Sequence, residues 1–118
     1  MLPRVSDMRA PAPLHGELAA ELRLRGFEGD LAPAFGDRIV SATDNSIYQL
    51  LPQLVVFPRS VDDLVRITRI AAEPRFKDIV FAPRSGGTST NGQSLTEGLV
   101  VDVSRHMNGI LEINPAER

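Results

Sequence analysis

The chain has 118 residues, enough for one domain, and its 42% hydrophobic and 24% charged residues are ordinary for a globular protein. A net charge of -2 gives no basic footprint for nucleic acid, and no apolar run approaches the roughly 18 residues that cross a bilayer. The absence of cysteine excludes a disulfide, a thiolate nucleophile and a cysteine-ligated iron–sulfur cluster within these residues.

Residues 1–13 hold three prolines, little periodicity and no apolar core of a secretion signal. They read as a mobile lead-in, and a cytoplasmic setting is expected. Leu14, Leu18, Leu22 and Phe27 make a helical stripe that Gly26 is placed to end. "EGDLAPAFGD" reads as a loop with a short turn, "RIVSAT" (38–43) as a short strand, and "DNSIYQLLP" as a turn or short helix closed by Pro52. "QLVVFP" (53–58) is a β-branched strand stopped by proline. Ser60 and Asp63 then form the N-terminal signature of a helix whose apolar face is Leu64, Ile67, Ile70 and Ala71, with Pro74 beyond it. Losing the serine cap would cost about 1 kcal/mol. "DIVFAP" (78–83) is a second apolar strand, and the strand–helix–strand order implies a parallel pair with a right-handed crossover. "GLVVDVS" (98–104) and "GILEINP" (109–115) are expected as a third and a fourth strand.

Between the second and third strands lies "PRSGGTSTNGQS". Gly87 to Ser94 nearly fits the phosphate loop of nucleotide hydrolases, but Gln93 stands where the lysine belongs. Glutamine cannot neutralise a triphosphate, and the residues that follow read as a turn and a strand rather than the helix such a loop needs. The spacing of Gly86, Gly87 and Gly92 does not fit the dinucleotide fingerprint either. A solvated loop is the plain alternative. Against it, the loop is anchored by an apolar strand at Pro83, Gly86 and Gly87 permit positive φ, and Thr88, Ser89, Thr90, Asn91 and Gln93 offer neutral donors with no competing carboxylate. Successive amides in such a turn form an anion-binding nest. The residues point to a pyrophosphate cradle outside both familiar motifs.

The order of "LVVFPRSVDDLVRITRIA", "IVFAPRSGGTSTNGQS" and "GLVVDVSRHMNGILEINP" resembles the first lobe of FAD-linked oxidases of the vanillyl-alcohol oxidase/PCMH type. The segment "SATDNSIYQLLPQLVVFP" narrows the resemblance to the large bacterial D-2-hydroxyglutarate dehydrogenases, which carry FAD and, in a distant C-terminal part, an iron–sulfur cluster. The resemblance implies an α+β fold: a small mixed sheet with a β-α-β unit and flanking helices. Residues 1–36 would be an N-terminal extension with one helix, and residues 37–118 the incomplete first lobe of the FAD-binding domain. It implies that Pro83 and Arg84 open the loop, that Ser85, Gly86, Gly87, Thr88, Ser89 and Thr90 contact the pyrophosphate, and that Asn91, Gly92 and Gln93 close it. Some relatives attach the flavin covalently to a histidine in this loop; Thr88 stands at the equivalent position, so FAD would be held non-covalently.

By the same resemblance the full chain is several times longer, and this one would be an N-terminal fragment without catalytic residues. Its partners would be the rest of the same polypeptide and a small 2-hydroxy acid, and exposed strand edges would invite a dimer. A stand-alone nucleotide-binding module, or a same-fold oxidoreductase for D-lactate, glycolate or a sugar nucleotide, is the alternative. Thr43, Asp44, Ser46 and Tyr48 match the narrower signature and are expected near the cofactor pocket, Asp44 being the one acid with a possible pocket role. Asp102 is expected to cap a turn or bond a loop, His106 to be a surface or hydrogen-bonding residue, and His15 to face solvent. Asp62 and Asp63 suit the positive end of a helix dipole, and Arg59, Arg66 and Arg69 a solvated face.

Overall fold

The computed structural model describes residues 10–117; most of the proline-rich lead-in falls outside them. Two strands organise everything else. β2 (Leu54–Phe57) and β4 (Leu99–Asp102) are buried along their whole length, which is why both read as unbroken apolar runs rather than alternations. They pair in parallel, Leu54 opposite Leu99 and Val56 opposite Val101. β1 (Asp30–Ala32) lies antiparallel on the outer side of β2. β3 (Phe81–Arg84) lies parallel on the outer side of β4. The sheet order is therefore β1-β2-β4-β3.

One face of the sheet carries Leu54, Val56, Leu99 and Val101. It is covered by Leu18 and Leu22 of helix α1 (Pro13–Leu24), by Ile67 and Ile70 of helix α3 (Val61–Ala71), and by Phe76 in the 3-10 turn Pro74–Phe76. The other face is thinner: Ala32, Val55, Phe57 and Val100 form a second cluster, and the short helix α2 (Phe35–Val40) packs against β2. α3 starts as its sequence dictates, with the Ser60 hydroxyl accepting from the Asp63 amide at 3.2 Å. α1 lacks a side-chain cap but opens on a proline, which has no amide proton to leave unsatisfied.

Several expectations need correction. "RIV" is helical, not extended: Arg38 is buried and its Nε donates to the Pro52 carbonyl at 2.7 Å, which fixes the turn of chain around it. The stretch expected as a loop supplies β1. β2 and β3 are parallel but not neighbours, because β4 enters between them. Residues 109–115 form no strand; Ile110, Leu111 and Ile113 are exposed and find no sheet partner among the described residues. α1 packs with α3 and β2 in one core, and β1 pairs with β2. Among the described residues no helix is long and apolar enough to cross a membrane.

Candidate functional site

Parallel strands end on one side of a sheet, and here Phe57, Asp102 and Arg84 close β2, β4 and β3 at the same edge. Ligands of open α/β sheets bind beyond such carboxyl ends. A cleft of about 480 Å³ opens there, lined by Phe57, Arg84, Ser85, Gly86, Asp102 and Arg105 with residues of α2. The glycine-rich segment leaves β3 at this edge and has to run back along the sheet to start the parallel β4. Its end is pinned by the Leu99 amide on the Val80 carbonyl (2.9 Å) and the Gln53 amide on the Gly98 carbonyl (2.8 Å).

Within the loop, Gly87 and Gly92 adopt positive φ, 65° and 79°. Gly86, expected to share this role, does not. At Gly87 a Cβ would stand 2.3 Å from Nη2 of Arg84, so the guanidinium lies directly over the glycine. Arg84 Nη1 is buried and has no hydrogen-bond partner. A buried donor left unsatisfied costs about 1–3 kcal/mol or more, and an anion is the partner that a guanidinium accepts most favourably. The exposed Gln93 side chain accepts the Asn91 amide at 3.0 Å, closing the loop on itself. Ser85, Thr88 and Thr90 are exposed, and their hydroxyls have no hydrogen-bond partner among the described residues.

The 43–48 segment does meet the loop. Asp44 accepts from the Ser46 amide at 2.7 Å and from the Ser89 hydroxyl. The Asn45 amide donates to the Ser89 carbonyl at 3.1 Å. The Tyr48 ring lies 3.3 Å from where a Gly92 Cβ would be. Hydrogen bonds from Ser46 and Ser89 hold the Asp44 carboxyl below its ordinary 3.8, with the positive charge of Arg84 adding to them. Thr43 pairs with Gln49 in an isolated bridge that shapes this segment.

On the far wall, Arg105 lies over the Phe57 ring, 3.5 Å from its centroid, and reaches Asp30 at 3.3 Å. His106 Nε2 is 2.7 Å from the same carboxylate. His106 and Arg105 together hold the Asp30 carboxyl below 3.8. Nothing in the sequence marked Arg105, because its partners sit some 50 to 75 positions earlier in the chain. Asp102 behaves as expected: its Oδ1 accepts from the Ser104 amide (2.8 Å) and hydroxyl (2.6 Å), capping the turn after β4.

Asp63, its partner Arg66 and His15 depart from expectation. Asp63 is wholly buried, accepting from the Arg59 amide (2.9 Å), the Glu28 amide (3.0 Å) and Arg66 Nη1 (3.0 Å). It joins α3 to the turn before β1 rather than merely facing a dipole, and Arg66 leaves the solvated row. His15 does not face solvent; both ring nitrogens are buried and unpartnered, and burial, then the charge of Arg38, lowers its pKa from 6.5. Among the described residues no cluster of three or more metal-ligating side chains occurs.

A small α+β sheet whose carboxyl edge carries a glycine-rich loop, a covered arginine and neutral donors is a lobe for binding a nucleotide cofactor. The chain belongs to the FAD binding domain family, which matches residues 52–118. It is 51% identical, over 99% of its length, to the D-2-hydroxyglutarate dehydrogenase of Escherichia coli (strain K12), and 54% identical, over 92%, to that of Pseudomonas putida. It spans about 12% of the first of these relatives and 11% of the second. A solved alkyldihydroxyacetonephosphate synthase superposes on 95% of the chain with a TM-score of 0.68 at 20% identity, which establishes the shared fold. FAD is thus the cofactor of the family, and the residues fit its diphosphate: a buried guanidinium Nη1 lacks a partner, and the loop over which it lies favours glycine at position 87, where φ is 65° and a Cβ would meet the guanidinium.

Proposed function

We propose that the loop from Arg84 to Gln93 holds the diphosphate of FAD, within a flavoprotein that oxidises D-2-hydroxyglutarate. The orphaned Nη1 of Arg84 carries the reading. Arg84 supplies the one charge-assisted donor; Ser85, Thr88 and Thr90 add hydroxyls, and the backbone at Gly86, Gly87, Asn91 and Gly92 can approach closely. Ser89 and Gln93 complete the loop that presents them. No histidine, cysteine or tyrosine lies between Arg84 and Gln93, which supports non-covalent attachment through this loop.

Bound FAD supplies the hydride acceptor. The reaction further requires a base for the hydroxyl proton and a cationic clamp for the carboxylate. We assign both, and any iron–sulfur cluster, to segments that the relatives carry outside the matched region. The exposed Ile110, Leu111 and Ile113 and the open sheet edges suit contact with such segments, and in the chain alone the edges offer a route to a dimer. The same reading goes with a cytoplasmic setting.

The test uses the protein at its natural encoded length. Purified protein should carry flavin absorbance, and anaerobic D-2-hydroxyglutarate should bleach it faster than D-lactate or glycolate at equal concentration. Flavin-free protein would overturn the cofactor site, and preferential bleaching by D-lactate or glycolate would overturn the substrate. The 118-residue chain by itself should bind FAD weakly and turn nothing over.

A further inference from the structure

The 43–48 segment touches the loop at more points than packing requires, and the hydrogen-bond directions there are forced. An ionised carboxylate only accepts. Asp44 Oδ2 therefore takes the single proton of the Ser89 hydroxyl. Ser89 Oγ also lies 3.0 Å from Ser94 Oγ. With the Ser89 proton already committed, Ser94 must be the donor in that pair. The polar chain thus runs in one direction, Ser94 to Ser89 to Asp44. The Ser89 carbonyl is taken as well, by the Asn45 amide at 3.1 Å. Asp44 itself is held by the Ser46 amide at 2.7 Å, and the Ser46 hydroxyl in turn accepts from the Tyr48 amide at 3.1 Å.

From this we infer that Asp44 is the positioning residue of the glycine-rich loop, and that Ser89 is its anchor rather than a contact to the cofactor. The inference rests on the reading of the loop as the FAD cradle. A loop of glycine, serine, threonine and asparagine has many conformations to lose on binding, and ordering it beforehand removes that cost from the binding step. Asp44 does so from outside the loop, 45 residues earlier in sequence. It also divides the loop's hydroxyls: that of Ser89 is spent on Asp44 and that of Ser94 on Ser89, while those of Ser85, Thr88 and Thr90 are left to donate. A carboxylate in direct contact with an anion site would repel the ligand. Here the Ser89 hydroxyl stands between, and the charge of Arg84 is close enough to favour the ionised Asp44.

Two measurements on the protein at its natural encoded length decide the matter. The first needs no cofactor. Hydrogen exchange at the Asn91 and Leu95 amides, both bonded within the loop, should speed up at least about tenfold in the apoprotein of Asp44→Ala, with the Val100 amide unchanged. Unchanged exchange in the loop would overturn the inference whether or not FAD binds. The second is a cycle of FAD dissociation constants for Asp44→Ala, Ser89→Ala and the double variant. Each single change should weaken binding about tenfold, and the double change no more than either alone. Additive losses would mean that Ser89 contacts the ligand independently, and would also overturn the inference. Asp44→Asn retains an acceptor and should recover most of the affinity lost in Asp44→Ala; should Asp44→Ala not fold, Ser89→Ala, which removes the same hydrogen bond from the loop side, carries the exchange measurement. Failure of the wild-type protein to bind FAD would strike the cofactor reading, and the exchange result would still judge the anchor.

Discussion

Replacing Gly87 with alanine perturbs the cradle where its backbone and its cation meet. The φ of 65° places this residue in the left-handed region, where a Cβ costs about 1–2 kcal/mol. The added methyl would also stand 2.3 Å from Nη2, 2.7 Å from Cζ and 3.2 Å from Nε of Arg84. Only the guanidinium can move, since the methyl is fixed to the main chain, so Arg84 must leave the loop. A hydrogen bond to a charged group is worth about 1.5–3 kcal/mol. FAD should then dissociate about 10- to 150-fold more readily, and the protein should lose about 1–2 kcal/mol of unfolding free energy from the strained backbone. Flavin fluorescence titration and urea denaturation read the two effects separately. Arg84→Ala should reproduce the affinity loss without the stability loss, and the double variant should bind no worse than Arg84→Ala alone. Gly87→Ala protein that is destabilised yet binds FAD at wild-type affinity would refute the role given to Arg84.

Two further outcomes concern stability. Asp63→Ala removes the one acceptor shared by the Arg59 and Glu28 amides and by Arg66, in half-buried bonds, and should cost about 2–3 kcal/mol in urea unfolding; a loss below about 1 kcal/mol would contradict its role as a junction. His15 has a folded pKa below its ordinary 6.5, through burial first and Arg38 second, so the unfolded chain takes up the proton more readily. Its contribution is complete above pH 6.5 and is lost as pH falls from there toward the lower folded value. His15→Leu removes both the titration and the unpartnered ring nitrogens, and its stability should decline less than that of wild type between pH 7.5 and 5.5; parallel profiles would refute the assignment.

The parts of the fold that could be read from sequence are those whose signal is local. β2 and β4 announce themselves by unbroken apolar runs, and α3 by Ser60 and its apolar stripe. β1 has three residues and exists because Phe57 and its neighbours offer an edge to pair with; no periodicity is possible over so short a stretch. "RIV" favours a strand by β-branching, but Arg38 is held by Pro52 and the backbone coils around it. "GILEI" favours a strand equally well, yet a strand needs a partner, and among the described residues none is offered. The insertion of β4 between β2 and β3 was illegible for a different reason, because the same crossover helix serves either order. In the candidate site, the glycine-rich loop stands out by its composition. Its supports do not, since Asp44, Arg105 and Asp63 act across 45, 75 and 35 residues of chain.

Pro83 shapes more than the entry to the loop. Val80 and Arg84 both turn their carbonyls toward β4, where the amides of Leu99 and Val103 meet them. Backbone groups alternate sides along a strand, so those of Phe81 and Pro83 point outward, along the free rim of the sheet. A proline there has no amide proton. A strand arriving at that rim would find one donor, that of Phe81, where two are needed to start a ladder, which is the usual way an edge is made unattractive to strangers. Copies of this chain that meet edge to edge should therefore do so along β1, three residues long and halted by Pro33. The residue that leads into the glycine-rich loop also keeps the neighbouring rim from recruiting other strands.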